Sequence, residues 1–288
     1  MVTHTPDTIK KIAALAAKAG LVIVGGQAVN TWSLKYYTEN TDPWDSLKPF
    51  TSDDLDCVGD ASKLHAFVEL LNKEYDVTVT LPANAEEEKI NTAVIEISKG
   101  DFYLGVNCLK SILGVETEDI TRGAVATDGN MALVLHPLLC LQSKSHNLAT
   151  LDQSNRQDEK HLRLSIANLH SFLKEQELSV EDAELYVEKI TEKASLNTYL
   201  QRSYNVNCVD ALPLEEWSNS SNERMRALAE IGKEAHKKVQ LAAEKEVAAE
   251  EWLRQLNPNP FKRNKGIGFL SKFKDLPSKV EESQQPEI

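Results

Sequence analysis

The chain has 288 residues, 44 of them acidic and 32 basic, for a net charge of −12; it can bury a substantial core in one larger or two smaller domains, and it is too acidic for a broad nucleic-acid-binding surface. It opens with no apolar leader and contains no unbroken apolar run near membrane-spanning length, so a soluble, cytoplasmic protein with no membrane partner is expected. Its cysteines, Cys57, Cys108, Cys140 and Cys208, are far apart and form no CxxC, which speaks against a zinc knuckle or disulfide framework and for reduced, buried thiols.

In chain order, Thr5-Pro6-Asp7 reads as the cap of a helix running to Ala17, with Ile9, Ile12, Leu15 and Ala16 on its apolar side. The apolar run 21–24 reads as a short buried strand, and Val24-Gly25-Gly26-Gln27-Ala28 turns it into a second helix. Glycines at such a turn let the backbone approach an anion, and the helix N-terminus behind them favours phosphate. A plain strand-to-helix turn is the simpler alternative for Gly25 and Gly26. Residues 35–50, with Tyr36, Tyr37, Pro43, Trp44 and Pro49, read as an ordered loop that either offers a stacking surface for a base or packs its own aromatics.

Thr51-Ser52-Asp53-Asp54-Leu55-Asp56-Cys57-Val58 follows. Leu55 and Cys57 alternate inward as in a strand, which puts Asp54 and Asp56 side by side on the opposite face. Two such carboxylates repel each other unless a cation lies between them, and Mg²⁺ or Mn²⁺, which also bridges phosphates, suits the place. Ser52 either bonds a phosphate or caps the loop. A helix over 61–74 and strands over 76–81, 92–97 and 102–106 come next.

An α/β domain is expected over 1–126, with 123–130 as the boundary and an entirely helical domain over 127–256. Its helices are expected at 137–146, 158–175, 179–195 and 218–256. The last carries sparse apolar positions, Met225, Leu228, Ile231, Val239, Leu241 and Trp252, so it needs a partner surface along one stripe. Residues 257–288 read as a disordered tail, in the commoner case an inert solubilising one; Phe261, Phe269 and Phe273 alternate there with Lys262, Arg263, Lys265, Lys272 and Lys274, a mixture that could otherwise fold onto RNA or an acidic partner.

Gly-Gly followed by Asp-x-Asp on the next strand resembles the nucleotidyltransferases related to DNA polymerase beta, and within them the bacterial minimal and abortive-infection (AbiE-type toxin) branch. The resemblance spans roughly residues 9–173. It implies a nucleotidyltransferase-like mixed α/β sheet with helices, followed by an all-helical C-terminal domain. It further implies transfer of a nucleoside monophosphate from a nucleoside triphosphate to a hydroxyl acceptor, an RNA, tRNA or protein, by a toxin paired with an antitoxin. Asp54 and Asp56 take the metal and catalytic roles, while Gly25, Gly26, Ser52 and Lys144 contact the nucleotide. The family's third acid aligns with Asn107. Asparagine offers a metal a neutral oxygen but accepts no proton at neutral pH. Asn107 therefore favours a second reading, a catalytically weak or silent interaction protein. Glu96, on the preceding strand, is the candidate replacement acid.

A different class is suggested by Arg156 and His161, which match the Arg-x4-His spacing of the HEPN ribonucleases. In the abortive-infection family the same stretch resembles an Arg and Asp pair behind the active site, here Arg156 and Asp158. His136, His146 and His170 show no metal-ligand spacing.

Overall fold

A computed structural model of the chain describes residues 6–37, 45–50, 54–83, 91–127 and 132–256. Helix α1 (Pro6–Lys18) leads into β1 (Val22–Ile23), both residues of which are buried, and then into α2 (Gly25–Tyr36). β2 (Leu55–Val58) is followed by α3 (Ala61–Leu71), whose N-terminus is capped by the Asp60 carboxylate accepting the N–H groups of Ser62 and Lys63. β3 (Asp76–Thr80), β4 (Asn91–Lys99) and β5 (Phe102–Leu109) then form an antiparallel meander.

A short helix α4 (Thr117–Arg122) precedes β6 (Ala124–Thr127) and β7 (Ala132–Leu135). The described strands make one mixed sheet in the order β3-β4-β5-β2-β1-β7-β6. This sheet, with its helices and the helical region after it, has the mixed α/β organisation expected of the chain. β2 runs parallel to β5, with Asp56 opposite Asn107, and β1 runs antiparallel to β2 and parallel to β7.

The region past 126 is not entirely helical, contrary to the expectation from sequence: β7 belongs to the sheet and residue 126 lies within β6. The stretch 132–135, Ala-Leu-Val-Leu, is too short for periodicity to separate a buried strand from a helix; its partners β1 and β6 decide.

Beyond the sheet, His136 caps α5 (Pro137–Thr150) by accepting the Leu138 N–H at its Nδ1, with proline in the first turn. α6 (Asp158–Glu175) is followed by α7 (Val180–Thr191) and α8 (Ala194–Tyr204), so the helix expected over 179–195 stops at Thr191 and a new one starts at Ala194. Asn205, at φ +53°, closes α8 in the left-handed conformation that asparagine tolerates. A 3₁₀ turn (Cys208–Ala211) and α9 (Leu214–Ser218) lead to α10 (Glu223–Leu256). α10 begins later than residue 218 because the Asn222 side chain accepts the Arg224 N–H at 2.9 Å and caps the new helix.

One compact unit spans Met1–Lys245 and a second comprises Glu246–Ile288. Within the first, one apolar core gathers the sheet with Ile12, Trp32, Phe67 and Leu135, and another gathers the helices around Leu162, Leu169, Leu200, Trp217 and Leu228. Along α10, Leu228, Ala229, Val239 and Ala243 are buried while Ile231, Leu241 and Val247 are exposed, so one stripe of the helix is covered. All four cysteines are free and buried. Among the described residues no helix is long and apolar enough to cross a membrane. Ser52, Asp53, Pro43, Trp44, the turn at 128–130, the Trp252 side chain and the basic-aromatic tail lie outside the described residues.

Candidate active site

The strand-to-helix turn sits directly on the second aspartate. The Val24 N–H donates to the Asp56 carbonyl oxygen at 2.9 Å, which ties the end of β1 to β2. Gly25 has φ +64°, and a Cβ added there would lie 2.1 Å from Asp56 Oδ2. Glycine is therefore required twice over, by the backbone angle and by the carboxylate. No side chain caps α2 at Val24, and the N–H groups of a helix's first turn have no carbonyl partner within that helix.

Asp54, on the bend before β2, and Asp56, within it, face the same way, as the alternation predicts. Asn107 joins them. Its Nδ2 donates to Asp54 Oδ2 and to Asp56 Oδ1, at 3.0 Å each. Burial and then the Asp54 charge push the Asp56 carboxyl above its ordinary value, while the Asn107 hydrogen bond and the charges of Lys144 and Arg156 pull it back.

Lys144, on α5, is only 5% exposed, and its Nζ lies 3.0 Å from Asp158 Oδ1. Arg156 donates through Nε to the other carboxylate oxygen of Asp158. Asp158 is 2% exposed; burial works against its charge, but Arg156 and Lys144 outweigh it and hold the acid below its usual range. Lys144 is thus a buried, paired cation whose field reaches Asp56, and the Arg156–Asp158 pair expected behind the site is present.

His161 is 7% exposed, and its Nε2 has no hydrogen-bond partner among the described residues. Burial, aided by the Lys144 charge, pushes it down to about 4, so the ring is neutral at pH 7. With Arg156 engaged by Asp158, the Arg-x4-His pair does not present two free polar groups to a substrate.

Glu96 stands on β4 opposite Gly105, one step along the face from Asn107, and accepts the Tyr103 hydroxyl at 3.0 Å. Alternation places it on the Asn107 side of the sheet but about 7 Å farther along the strand. Tyr103, which the sequence reading passed over, shares this face because it lies two and four residues from Gly105 and Asn107; that period-two spacing was the available signal.

In the loop before β2, Tyr37 packs edge-on against Phe50, and its hydroxyl donates to Asp45 Oδ1 at 3.0 Å, so these aromatics pack among themselves. His136 is pushed by burial to about 4 and packs against Phe172, and His146 Nδ1 lies 2.8 Å from the Gln142 carbonyl oxygen. Among the described residues no group of three or more His, Cys, Asp or Glu side chains is arranged to hold a metal.

No protein-family model matches the chain, and no curated protein is significantly similar to it. Among solved structures, the crystal structure of the Megavirus polyadenylate synthase is similar at 11% sequence identity, covering 90% of this chain and 71% of that one, with a TM-score of 0.38. A likeness that distant bears no weight in assigning the activity.

Proposed function

We propose that the protein is a metal-dependent nucleotidyltransferase that transfers a nucleoside monophosphate from a nucleoside triphosphate to a hydroxyl acceptor, releasing pyrophosphate. The observation that carries this reading is the convergence of Asp54 and Asp56 on Asn107, directly against the Gly25 turn. The donor set suits magnesium or manganese, since Mg²⁺ is usually held by one or two carboxylates together with substrate phosphates, and Asp54 and Asp56 would hold it. Such an ion, when bound, supplies charge neutralisation at the phosphoryl group under attack.

The chain's own groups do the rest. The Gly25–Gly26 turn lets the triphosphate approach the first-turn N–H groups of α2, which favour anions. Lys144 and Arg156 add positive potential behind the aspartates. Asn107 holds both carboxylates in register but takes no proton from the acceptor.

Calorimetry with MgATP tests the reading: the wild type binds, and Asp54→Ala combined with Asp56→Ala abolishes binding. Equal affinity in the two proteins would overturn it. The second reading, a silent interaction protein, is favoured by the Asn107 Nδ2 already serving both carboxylates; turnover of labelled triphosphates by the full chain separates the two. Action as a toxin countered by an antitoxin rests on the sequence resemblance, and growth arrest on induced expression, relieved by a partner encoded next to it, is its test.

A further inference from the structure

The sheet face that carries the aspartates continues past Asn107 across β5, β4 and β3. Tyr103 and Gly105 alternate with Asn107 on β5, Val94 and Glu96 stand opposite Asn107 and Gly105 on β4, and Thr78 stands beyond Glu96 on β3. The reverse side of the same strands is core, with Ile95, Ile97, Leu104 and Val106 buried, whereas Glu96, Tyr103 and Thr78 are exposed.

Two features of this floor say what it is for. The first is its place. In the order β5-β2-β1, Asp56 lies between the Gly25 turn on one side and this floor on the other, so a triphosphate on the turn leaves the floor to the other substrate. A Cβ at Gly105 would meet nothing within 4 Å, so no packing demand accounts for the glycine, and its absent side chain keeps the floor flat beside Asn107. The second is charge. Among the described positions of this face on β3, β4 and β5, the charged residues are Glu96 and Asp76, with no Lys or Arg; next to it, Lys144 and Arg156 act on Asp56 from behind, so the floor's own negative charge is that of Glu96 and Asp76. A phosphate backbone is repelled by such a surface and a cationic chain is attracted. The floor is three strands wide, about 10 Å across, and it ends at β3, the edge of the described sheet, where Thr78 and Thr80 are exposed on this face; that shape fits an extended polymer.

We propose, on the basis of the nucleotidyltransferase reading, that this floor docks the acceptor and that the acceptor is a hydroxyl-bearing polypeptide segment flanked by Lys or Arg. Its serine or threonine oxygen forms the new bond to the α-phosphorus, and the bond from that phosphorus to the pyrophosphate oxygen breaks. Pyrophosphate leaves with the electron pair, and the hydroxyl proton passes to water.

The test is fluorescence anisotropy on the full chain without nucleotide, using a labelled peptide of alternating arginine and serine, a glutamate–serine peptide of equal length and a single-stranded RNA. Glu96→Lys alters an exposed side chain, and Gly105→Val fills open space on a strand, so both should fold. The arginine–serine peptide is expected to bind the wild type and to weaken about tenfold in each variant. Glu118→Lys, a charge reversal at an exposed position on α4, which is not one of the floor's strands, should leave binding unchanged. The proposal is overturned if the peptide does not bind, if Glu96→Lys and Gly105→Val leave its affinity intact, if Glu118→Lys weakens it equally, or if the RNA or the acidic peptide binds as tightly. MgATP calorimetry is read separately: peptide binding without MgATP binding would sink the transferase reading, and with it the acceptor role, by a distinct result.

Discussion

A Cβ on Gly25 would stand 2.1 Å from Oδ2 of Asp56, so the turn that ends β1 and the second aspartate of the strand beside it are in contact. No side chain can be added at Gly25 without the Asp56 carboxylate moving. Gly25→Ala should therefore do two things together. The methyl group is strained at φ +64°, which costs about 1–3 kcal/mol, and it displaces the Asp56 carboxylate. Urea unfolding should show the loss of stability, and calorimetry a MgATP affinity lower by about tenfold or more. A variant with unchanged nucleotide affinity would separate the glycine turn from the site.

Asn107→Asp replaces the donor that bridges Asp54 and Asp56 with a third negative charge. Without divalent ions the variant should be less stable than the wild type by about 1–3 kcal/mol, the cost of leaving partly buried acceptors unpaired. Added Mg²⁺ should restore its melting temperature by more than it raises that of the wild type, and turnover of labelled triphosphate should rise. Thermal unfolding with and without Mg²⁺ checks the first expectation. A variant indifferent to the ion would speak against a metal site at these carboxylates.

Burial, with the charge of Asp54, raises the Asp56 carboxyl. A group whose folded-state value lies above its unfolded one binds its proton more tightly in the folded protein, so stability falls as pH rises through that interval. The cost is fully present above the folded value and absent below the unfolded one, near 3.8. In metal-free buffer, Asp56→Asn should accordingly stabilise the protein at neutral pH, by about 0.5–2 kcal/mol, and the gain should vanish towards pH 3. Melting temperatures of both proteins across that range decide it; a destabilised variant at pH 7 would contradict the raised value.

Lys144 and Asp158 are both buried and bonded to each other. Removing one partner strands the other charge, so Lys144→Met should cost about 3–5 kcal/mol, at the lower end because Arg156 still holds Asp158. Lys144→Met with Asp158→Leu should recover most of that stability. Asp158 is held below its ordinary value, so the stabilisation it lends is present above the unfolded carboxylate value and lost as pH falls through the lowered one. Urea unfolding of the single and double variants gives the coupling directly, and additive losses would show that the pair does not act as one.

Several features could be read from the chain before its structure. The alternation of Asp54, Leu55, Asp56 and Cys57 needs no partner to be interpreted, since successive side chains in any strand point to opposite faces. The Gly25-Gly26 turn and the helix over 158–175 are equally local, because turn chemistry and periodicity are properties of a few adjacent residues. Asn107 was tied to Asp54 and Asp56 by the family resemblance alone.

Other features depended on residues far apart in sequence. β1 is two residues long, and β7 follows the expected boundary; each is a strand because its neighbours accept it, Ile23 lying opposite both Cys57 and Val134. The sequence resemblance made Lys144 a nucleotide contact, and only the fold puts α6 against α5 so that Asp158 closes over it. The Asn107 amide likewise could be named as a departure from an acid, but its double hydrogen bond required β2 and β5 to pair in one register. Local spacing determined which side chains point together along one segment. Which segments meet was decided by long-range packing, where burial of apolar faces outweighs the weak preferences of short stretches.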